Sequence, residues 1–294
     1  MFDVVAYMGA HRSRIDKELD RYLPPAATRP AVLHEAMRYS VFAGGKRLRP
    51  ILCVATCEAV GGTAEPAWLP AAALELLHTY TLIHDDLPAM DNDVLRRGKP
   101  TCHVVFGEAN AILAGDALLT LAFEWMARSL PPPPYQPGHY VLELAEAAGS
   151  LGVVGGQVED LSAEGRPPTA ELVEHIHQRK TAALIRAAVR IGAAAGRATE
   201  EEFNALTLYG SDIGLAYQIT DDILDATATT ESLGKTAGKD RAHGKCTWIE
   251  VHGLEASWQK AHALADRAIE ALKPLHRKGE ALKALAHFLV NRDS

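Results

Sequence analysis

Apolar residues recur at intervals of three and four positions along most of the chain, a periodicity that predicts amphipathic α-helices. In chain order it covers residues 2–22, 30–60, 66–84, 108–128, 138–161, 169–195, 199–225 and 255–273. The period-two alternation that is typical of β-strands is scarce, and no internal repeat of fixed length is present. The hydrophobic pattern therefore predicts an all-α protein.

Glycine and proline clusters mark the connections between these helices. They include Gly61-Gly62, the run Pro131 to Pro134, and Gly165 to Pro168. The proline run is short and its flanking patterns are alike, so we interpret it as a loop between helices and not as a domain linker. Thr169 precedes a helical stretch as a candidate N-cap. We expect one domain over residues 1–294, a bundle of about ten helices around a central cavity.

The composition narrows the function classes. Of the 294 residues, 48% are hydrophobic and 23% are charged, as in ordinary soluble globular proteins. The formal charge of −7 argues against nucleic acid as a partner. No uncharged apolar run approaches the roughly 20 residues needed to cross a membrane, and the charged N-terminal segment does not look like a secretory signal. We expect a cytoplasmic protein without an integral membrane segment. The four cysteines lack metal-site spacing: Cys53, Cys57, Cys102 and Cys246.

An acidic cluster ends the apolar stretch LELLHTYTLI. Asp85 and Asp86 follow it directly, and Asp91 lies five residues further on. A solvated loop is the ordinary interpretation of such a cluster. Here the carboxylates end a helix that should be buried, and Arg96, Arg97 and Lys99 follow them. This concentration of both charge signs favours a binding site.

A second acidic cluster, Asp221, Asp222 and Asp225, lies in the helical segment DIGLAYQITDDILD. Asp221 and Asp225 are four residues apart and share one helical face, where like charges repel each other. A bound cation would relieve this repulsion, and all-oxygen ligands favour Mg²⁺, Ca²⁺ or Mn²⁺ over zinc. Mg²⁺ usually completes its coordination with water and substrate phosphate. The two clusters therefore predict Mg²⁺ ions held around a diphosphate.

Basic residues that could balance a diphosphate occur in four segments. Each segment alone is weak, because surface Lys and Arg are usually only solvated, but their joint occurrence with two acidic clusters is far more specific. No P-loop, nucleophile elbow, zincin or dinucleotide motif is present. The segments are GGKRLRP from Gly44, Arg96-Arg97, Lys180 with Thr181, and Lys235, Lys239 and Lys245 in LGKTAGKDRAHGK.

Together these motifs resemble those of the trans-isoprenyl diphosphate synthases. GGKRLRP, LIHDDLPAMDNDVLRRGKPT, GGQVEDL, KTAALI and YQITDDILD occur in the family's order, from about residue 30 to about residue 250. The four-residue spacer between Asp86 and Asp91 resembles the bacterial and plant type. The resemblance implies an all-α bundle around a deep cavity, usually a homodimer.

The resemblance also implies a role for each matched residue. Six aspartates would bind Mg²⁺, three ions per active site: Asp85, Asp86, Asp91, Asp221, Asp222 and Asp225. The diphosphate of isopentenyl diphosphate would be held by Lys46, Arg49, His78 and Arg97. The allylic diphosphate would be gripped by Arg96, Lys180 and Lys235, with Lys245 as a further phosphate-site lysine. Thr181 and Gln218 would lie beside the developing carbocation, and Lys180 would share this catalytic role.

The implied reaction is a head-to-tail condensation. Mg²⁺ and the cationic side chains withdraw diphosphate from an allylic substrate, dimethylallyl or geranyl diphosphate. The double bond of isopentenyl diphosphate attacks the resulting carbocation, and a proton then leaves, to the released diphosphate itself. This accounts for the absence of an obvious protein base among the motifs.

Product length depends on where the cavity ends. Tyr80 lies five residues before Asp85, about 7.5 Å along a helix, and Thr81 beside it is small. Relatives with an aromatic residue at the Tyr80 position tend to stop at C15. We therefore expect farnesyl diphosphate, with geranylgeranyl diphosphate as the alternative. In the competing interpretation, Tyr80 packs in a helix interface and another residue sets the length.

Two other function classes remain open at this point. His84-Asp85 matches the dyad of the HD phosphohydrolases, which are also helical and metal-dependent, but GGKRLRP and the second cluster would then be unexplained. The chain could also be a non-catalytic subunit of a heteromeric prenyl synthase. Such subunits typically lose one aspartate motif, whereas both are intact here.

Overall fold

The described part of the chain, residues 2–227 and 245–292 of the computed structural model, consists almost entirely of helices. The α-helices are α1 (Val4–Tyr22), α2 (Ala31–Val41), α3 (Leu48–Ala59), α4 (Trp68–Asp85), α5 (Cys102–Phe106), α6 (Glu108–Arg128), α7 (His139–Ala148), α8 (Val153–Ala163), α9 (Ala170–Ile176), α10 (Ala183–Ala195), α11 (Glu200–Thr227), α12 (Trp248–His252), α13 (Leu254–Ala271) and α14 (Glu280–Val290). Short 3₁₀ turns span Glu65–Ala67 and Lys273–Gly279. The all-α prediction is confirmed.

Local sequence explains where several helices begin and end. The predicted range 30–60 is divided between α2 and α3, because Gly44 and Gly45 adopt φ angles of +100° and +129°. A helix cannot continue through residues in that region. Thr169 caps α9 as predicted, since its side chain accepts a hydrogen bond of 3.2 Å from the backbone N–H of Leu172. The proline run lies between α6 and α7.

Two features were not visible in the periodicity. The range 169–195 is not one α-helix, because residues His177–Ala182 form a π-helical segment between α9 and α10. A small antiparallel hairpin pairs Leu95–Arg96 (β1) with Lys99–Pro100 (β2). Its two-residue turn, Arg97-Gly98, has φ angles of 54° and 73°, the left-handed geometry that matches the strand twist. The hairpin holds Arg96 and Arg97 beside the end of α4.

The core is one continuous hydrophobic cluster with α4 near its centre. Residues Leu74, Leu76 and Leu77 of α4 are completely buried, and the helix packs against α3 and α6. On the other side, α10 packs against α3 and α11, and α11 against α13. This packing places the C-terminal end of α4 opposite α8, the π-helical segment and α11. No helix among the described residues is long and apolar enough to cross a membrane, and the cytoplasmic location stays a prediction.

Candidate active site

Two adjoining cavities lie where these elements meet. The first, of about 510 Å³, lies between α4, α8, the π-helical segment and α11. The second, of about 470 Å³, lies beside the turn before α3. Four residues line both: Arg49, His78, Arg97 and Tyr217. A molecule in one cavity would therefore lie directly beside a molecule in the other.

The first aspartate cluster reaches the first cavity through Asp85. Lys180 and Lys245 are paired elsewhere, and the described residues provide no ion pair to the Asp85 carboxylate. Burial, together with the nearby charge of Asp91, raises the pKa of Asp85 to about 6 despite the attraction of more distant cations. A half-buried carboxylate without a paired cation is electrostatically unfavourable, so this position favours an incoming positive charge.

Asp86 faces the hairpin instead of the open cavity. Its carboxylate accepts hydrogen bonds from Nε of Arg96 at 2.8 Å and from Nη2 at 2.6 Å. Burial raises the pKa of Asp86, and the bonds from Arg96 oppose that rise. Such a bidentate pair fixes the guanidinium plane. Arg96 also lines the first cavity, so Asp86 positions the cation that lies beside Asp85.

A second ionic network joins α8, the π-helical segment and Lys245, which lies just before α12. Lys180 Nζ lies 2.6 Å from Oδ2 of Asp160, and Lys245 Nζ lies 3.6 Å from the same atom. Lys245 also lies 3.1 Å from Oδ1 of Asp91. Burial alone would raise the pKa of Asp160, but the two lysines outweigh it and the pKa is lowered. Asp160 therefore stays ionised and holds both lysines beside the first aspartate cluster.

The π-helical segment presents Lys180 and Thr181 to the first cavity. Thr181 Oγ1 donates a hydrogen bond of 2.6 Å to Oε1 of Gln218 on α11. Gln218 Nε2 in turn donates to Oδ1 of Asp222 at 2.9 Å. Asp222 also accepts from the backbone N–H of Trp248 at 2.8 Å. This series of hydrogen bonds fixes the side-chain amide of Gln218, so that the buried Asp222 sets the orientation of that amide beside the cavity.

The aspartates of the second cluster differ in their surroundings. Asp221 lines the first cavity and forms an ion pair with Arg292, which follows α14. Asp222 is buried, and its Oδ2 lies 3.3 Å from Nε2 of His177. Burial lowers the pKa of His177 to about 3, so this imidazole is neutral at physiological pH. Asp225 is buried at the last turn of α11. Asp221 is therefore the member of this cluster that faces the cavity.

The second cavity gathers the residues of GGKRLRP with those of the hairpin. Lys46, Arg49, His78 and Arg97 all line it. Burial and the neighbouring guanidinium groups lower the pKa of His78 well below its ordinary value, so that it is a neutral hydrogen-bonding group. Burial lowers the pKa of Arg49 as well. Three cationic side chains around a neutral histidine suit a highly charged anion such as a diphosphate.

Arg47, in the middle of GGKRLRP, has a different place. Its φ angle of 54° turns the side chain into the protein, where Nη1 lies 2.8 Å from Oε1 of Glu75. Nε lies 2.9 Å from Oδ1 of Asp16 on α1. Both Arg47 and Glu75 are buried. This pair anchors the turn that carries Lys46 and Arg49.

The predicted chain-length residues lie along α4. Tyr80 lines the first cavity with 7% of its surface exposed, and its ring packs edge-on against His84 at 5.5 Å between centroids. Thr81 lines the same cavity and donates a hydrogen bond of 2.7 Å to the carbonyl of His78. His84 Nε2 lies 3.0 Å from the carbonyl oxygen of Ile112, where Gly115 leaves room for its ring. Tyr80 therefore both lines the first cavity and packs against His84 within α4.

Lys235 lies outside the described residues, so its predicted role stays a prediction. Asp160 lies in GGQVEDL, but its pairing with Lys180 and Lys245 is not predicted by the sequence, because a buried acid beside distant lysines cannot be identified from one segment. Arg292 was missed completely. It lies 71 positions from Asp221, and no motif connects the two.

The residues fit Mg²⁺ that arrives together with a phosphate ligand. In residues 2–227 and 245–292, no three His, Cys, Asp or Glu side chains are grouped as a ready-made metal site. Mg²⁺ does not require one, because it commonly takes one or two protein carboxylates and completes its octahedron with water and phosphate oxygens. The carboxylates of Asp85 and Asp221 line the same cavity and supply the hard oxygen donors it prefers.

Known proteins match the sequence and the fold of this chain over essentially its whole length. The family profile described as Polyprenyl synthetase matches residues 30–285. A geranylgeranyl diphosphate synthase of Cyanophora paradoxa is 44% identical over 295 residues, covering 100% of this chain and 98% of that protein. An FPP/GFPP synthase structure from Zymomonas mobilis gives a TM-score of 0.86 at 38% identity, with 98% of both chains covered. A geranyltransferase from Helicobacter pylori, solved with magnesium and isoprenyl diphosphate, gives 0.85 at 32% identity, covering 99% and 97%.

Proposed function

The chain belongs to the polyprenyl synthetase family and is a short-chain prenyltransferase, and from this premise we propose that it makes geranylgeranyl diphosphate by Mg²⁺-dependent condensation of isopentenyl diphosphate with allylic diphosphates. The observation that carries the proposal is the junction of the two cavities at Arg49, His78, Arg97 and Tyr217. A condensation needs its two reacting carbons in contact, and adjoining cavities would provide that proximity.

We assign the allylic substrate to the first cavity. Its diphosphate would lie between the aspartates and the cations Arg96, Lys180 and Lys245, with the hydrocarbon tail along Tyr80 and α8. Bound Mg²⁺, for which we propose three ions held by the two clusters, would supply positive charge that stabilises the departing diphosphate. Asp86 and Asp160 would keep Arg96 and the two lysines aimed at that charge. In this arrangement some acids bind Mg²⁺ and others position cations, which explains why Asp86 and Asp160 pair with basic side chains.

Isopentenyl diphosphate belongs in the second cavity on this proposal. Lys46, Arg49 and Arg97 would hold its diphosphate, and neutral His78 would donate one hydrogen bond. The Thr181 and Gln218 side chains line the first cavity, where their oxygen atoms would stabilise positive charge on the allylic carbon. The proton lost after condensation would go to the released diphosphate, because Asp85, the carboxylate outside the ionic networks among the described residues near this junction, would be occupied by Mg²⁺ on this proposal.

The proposal of a C20 product rests more on the comparisons with known proteins than on the residues that line the cavity. The Cyanophora relative is named a geranylgeranyl diphosphate synthase, and the Zymomonas structure is that of an FPP/GFPP synthase. The Cyanophora name favours the C20 product over the farnesyl product expected from the sequence, whereas the Zymomonas name includes the farnesyl product. Farnesyl diphosphate remains the second candidate because an aromatic residue, Tyr80, lines the first cavity. Leu76 and Leu77, which lie one helical turn before Tyr80 on α4 and so further from Asp85, are completely buried in the core.

Product analysis tests both parts of the proposal. The purified chain is incubated with isopentenyl and dimethylallyl diphosphates, with and without Mg²⁺, and the dephosphorylated alcohols are separated by chromatography. We expect a C20 alcohol that requires the metal. A C15 alcohol as the end product would favour the farnesyl alternative, and absence of any condensation would contradict the function itself.

A substitution then tests the role of Tyr80. We predict that Tyr80→Ala shifts the product distribution to chains at least one C5 unit longer, because the ring no longer narrows the cavity. Tyr22→Ala, which removes a ring from α1 outside the cavity, should leave the distribution unchanged. If both variants give the wild-type product, Tyr80 does not limit chain length.

We further propose that the chain acts as a homodimer. Several apolar residues on α6 and α8 are exposed in the single chain, among them Leu113 at 55% and Val158 at 59%. Large apolar side chains exposed on two helices favour a protein contact over solvent. Val158 also lines the first cavity, so a second copy covering it would close the hydrocarbon site. Light scattering of the purified chain measures its mass, and a monomer at micromolar concentration would contradict the proposal.

A further inference from the structure

Asp222 differs from Asp221 in that N–H groups of the protein already bind both of its carboxylate oxygens. Oδ1 accepts a hydrogen bond of 2.9 Å from Nε2 of Gln218, and Oδ2 accepts one of 2.8 Å from the backbone N–H of Trp248. The Asp222 side chain is buried and lines neither of the two cavities. A metal ion would have to displace these donors to reach Asp222, whereas Asp221 faces the first cavity directly.

The carboxylate of Asp222 determines which end of the Gln218 amide faces it. A carboxylate accepts hydrogen bonds and donates none, so the NH₂ group of Gln218 must point towards Asp222 and the carbonyl oxygen towards Thr181. There Oε1 of Gln218 accepts the hydroxyl hydrogen of Thr181 at 2.6 Å. A hydroxyl group has only one hydrogen. The hydrogen of Thr181 is therefore directed at Gln218, and the Thr181 oxygen keeps its lone pairs for other contacts.

The surroundings of Asp222 hold its carboxylate in this position. Trp248 is the first residue of α12, and its ring stacks on the imidazole of His177, with 6.0 Å between the centroids and 25° between the planes. Nε2 of His177 lies 3.3 Å from Oδ2 of Asp222. Asp222 therefore joins α11, the π-helical segment and α12. A rotation of its side chain towards the first cavity would break contacts with all three elements.

We propose that Asp222 is a positioning residue and not a Mg²⁺ ligand, and that it sets the polarity of the Thr181–Gln218 pair; this inference rests on the proposed function. Both members of the pair line the cavity assigned to the allylic substrate. With Asp222 in place, the Thr181 hydroxyl offers oxygen lone pairs to positive charge on the allylic carbon. A reversed pair would turn the partly positive O–H hydrogen towards that carbon and would destabilise the carbocation.

Asp222→Asn tests this role because it keeps the size of the side chain but replaces one acceptor oxygen by a donor NH₂ group. If the new NH₂ group faces Gln218, the Gln218 amide must turn over and donate to Thr181, whose hydroxyl hydrogen can then point into the first cavity. If it faces Trp248, two N–H groups oppose each other and the hydrogen bond to α12 is lost. Either arrangement disrupts the positioning that the carboxylate provides.

We expect Asp222→Asn to lower kcat roughly 100-fold, the usual effect of losing one oriented dipole in an active site. KM for each substrate should change by less than about threefold, because neither diphosphate contacts this residue on our proposal. Asp266→Asn removes one negative charge from an exposed position on α13. It is the matched control and should retain the wild-type kcat.

The double variant Asp222→Asn/Gln218→Glu provides a rescue. The new amide at 222 donates to the new carboxylate at 218, whose other oxygen accepts from Thr181, and the N–H of Trp248 keeps an acceptor. We expect the double variant to exceed Asp222→Asn in kcat by at least about 10-fold, a coupling usual for residues in contact. It should also exceed Gln218→Glu, in which two carboxylates face each other. If Asp222→Asn does not fold, the double variant should recover both folding and condensation.

Thermal melting with Mg²⁺ and inorganic diphosphate separates positioning from metal binding, because bound ligand raises the melting temperature. We expect Asp222→Asn to show the wild-type rise. Loss of that rise would identify Asp222 as a metal ligand and overturn the inference, as would a double variant no more active than either single variant. Failure of the wild type to condense the substrates would contradict the proposed function, whereas an active wild type with an unaltered Asp222→Asn variant would contradict only the role of Asp222.

Discussion

Gly156 on α8 is the closest support of the π-helical segment, and its substitution tests the site most directly. A β-carbon at this position would lie 2.4 Å from the backbone nitrogen of Lys180 and 2.8 Å from its Cα. Ordinary contacts between such atoms exceed about 3.4 Å, so either α8 or the segment must move by about 1 Å. A β-carbon at Gly214 of α11 would likewise lie 2.6 Å from Cα of Ala182. The segment therefore packs closely against one glycine of α8 and one of α11.

We predict that Gly156→Ala lowers both stability and activity. Overpacking of this kind typically costs about 1–3 kcal/mol, which for a chain of this length corresponds to a fall in melting temperature of roughly 2–5 °C. The displacement would carry Lys180 away from Asp160 and Thr181 away from Gln218. Because a shift of about 1 Å at a reacting group can cost roughly 100-fold in rate, we expect kcat to fall by about that factor.

The assay is steady-state condensation at a temperature well below the melting point of the variant, so that unfolding does not contribute. Gly9→Ala is the matched control: Gly9 is exposed within α1, with no atom within 4 Å of the added carbon. We expect it to retain wild-type activity and to gain up to about 1 kcal/mol from higher helix propensity. A Gly156→Ala variant with wild-type kcat and melting temperature would refute the idea that α8 positions the segment.

Three further results are expected. Glu75→Leu should destabilise the protein by about 3 kcal/mol in urea unfolding, because it leaves the buried Arg47 without one of its two acidic partners; an unchanged midpoint would contradict this. Interaction with His11 lowers the pKa of Glu58 below its ordinary value, so that the stabilisation is present above pH 4.5 and lost as the pH falls below it. Glu58→Gln should therefore lower the melting temperature near pH 7, with a difference from wild type that narrows towards pH 3. Asp85→Ala should abolish condensation, and Mg²⁺ with inorganic diphosphate should no longer raise the melting temperature; a wild-type response would exclude Asp85 as a ligand.

The positions of the helices follow from local sequence. The three- and four-residue periodicity predicted α4 and α11 to within a few residues, and Thr169 marked the start of α9, because these features depend on neighbours within one or two turns. The same locality explains the errors. The glycine pair that divides α2 from α3 does not interrupt the apolar spacing on either side of it. The π-helical segment likewise keeps the apolar spacing of an α-helix, so neither feature changes the hydrophobic periodicity of the sequence.

The sequence by itself determined the chemistry available: two carboxylate clusters at the ends of apolar helices, and the basic segments GGKRLRP and Arg96-Arg97. The tertiary structure decided how these charges are combined. It joins Lys180 and Lys245 through Asp160 and brings Arg292 to Asp221. Such pairs depend on the packing of whole helices, because side chains far apart in the chain meet only after the hydrophobic faces between them are buried. For the same reason, the junction of the two cavities could not be derived from any single motif.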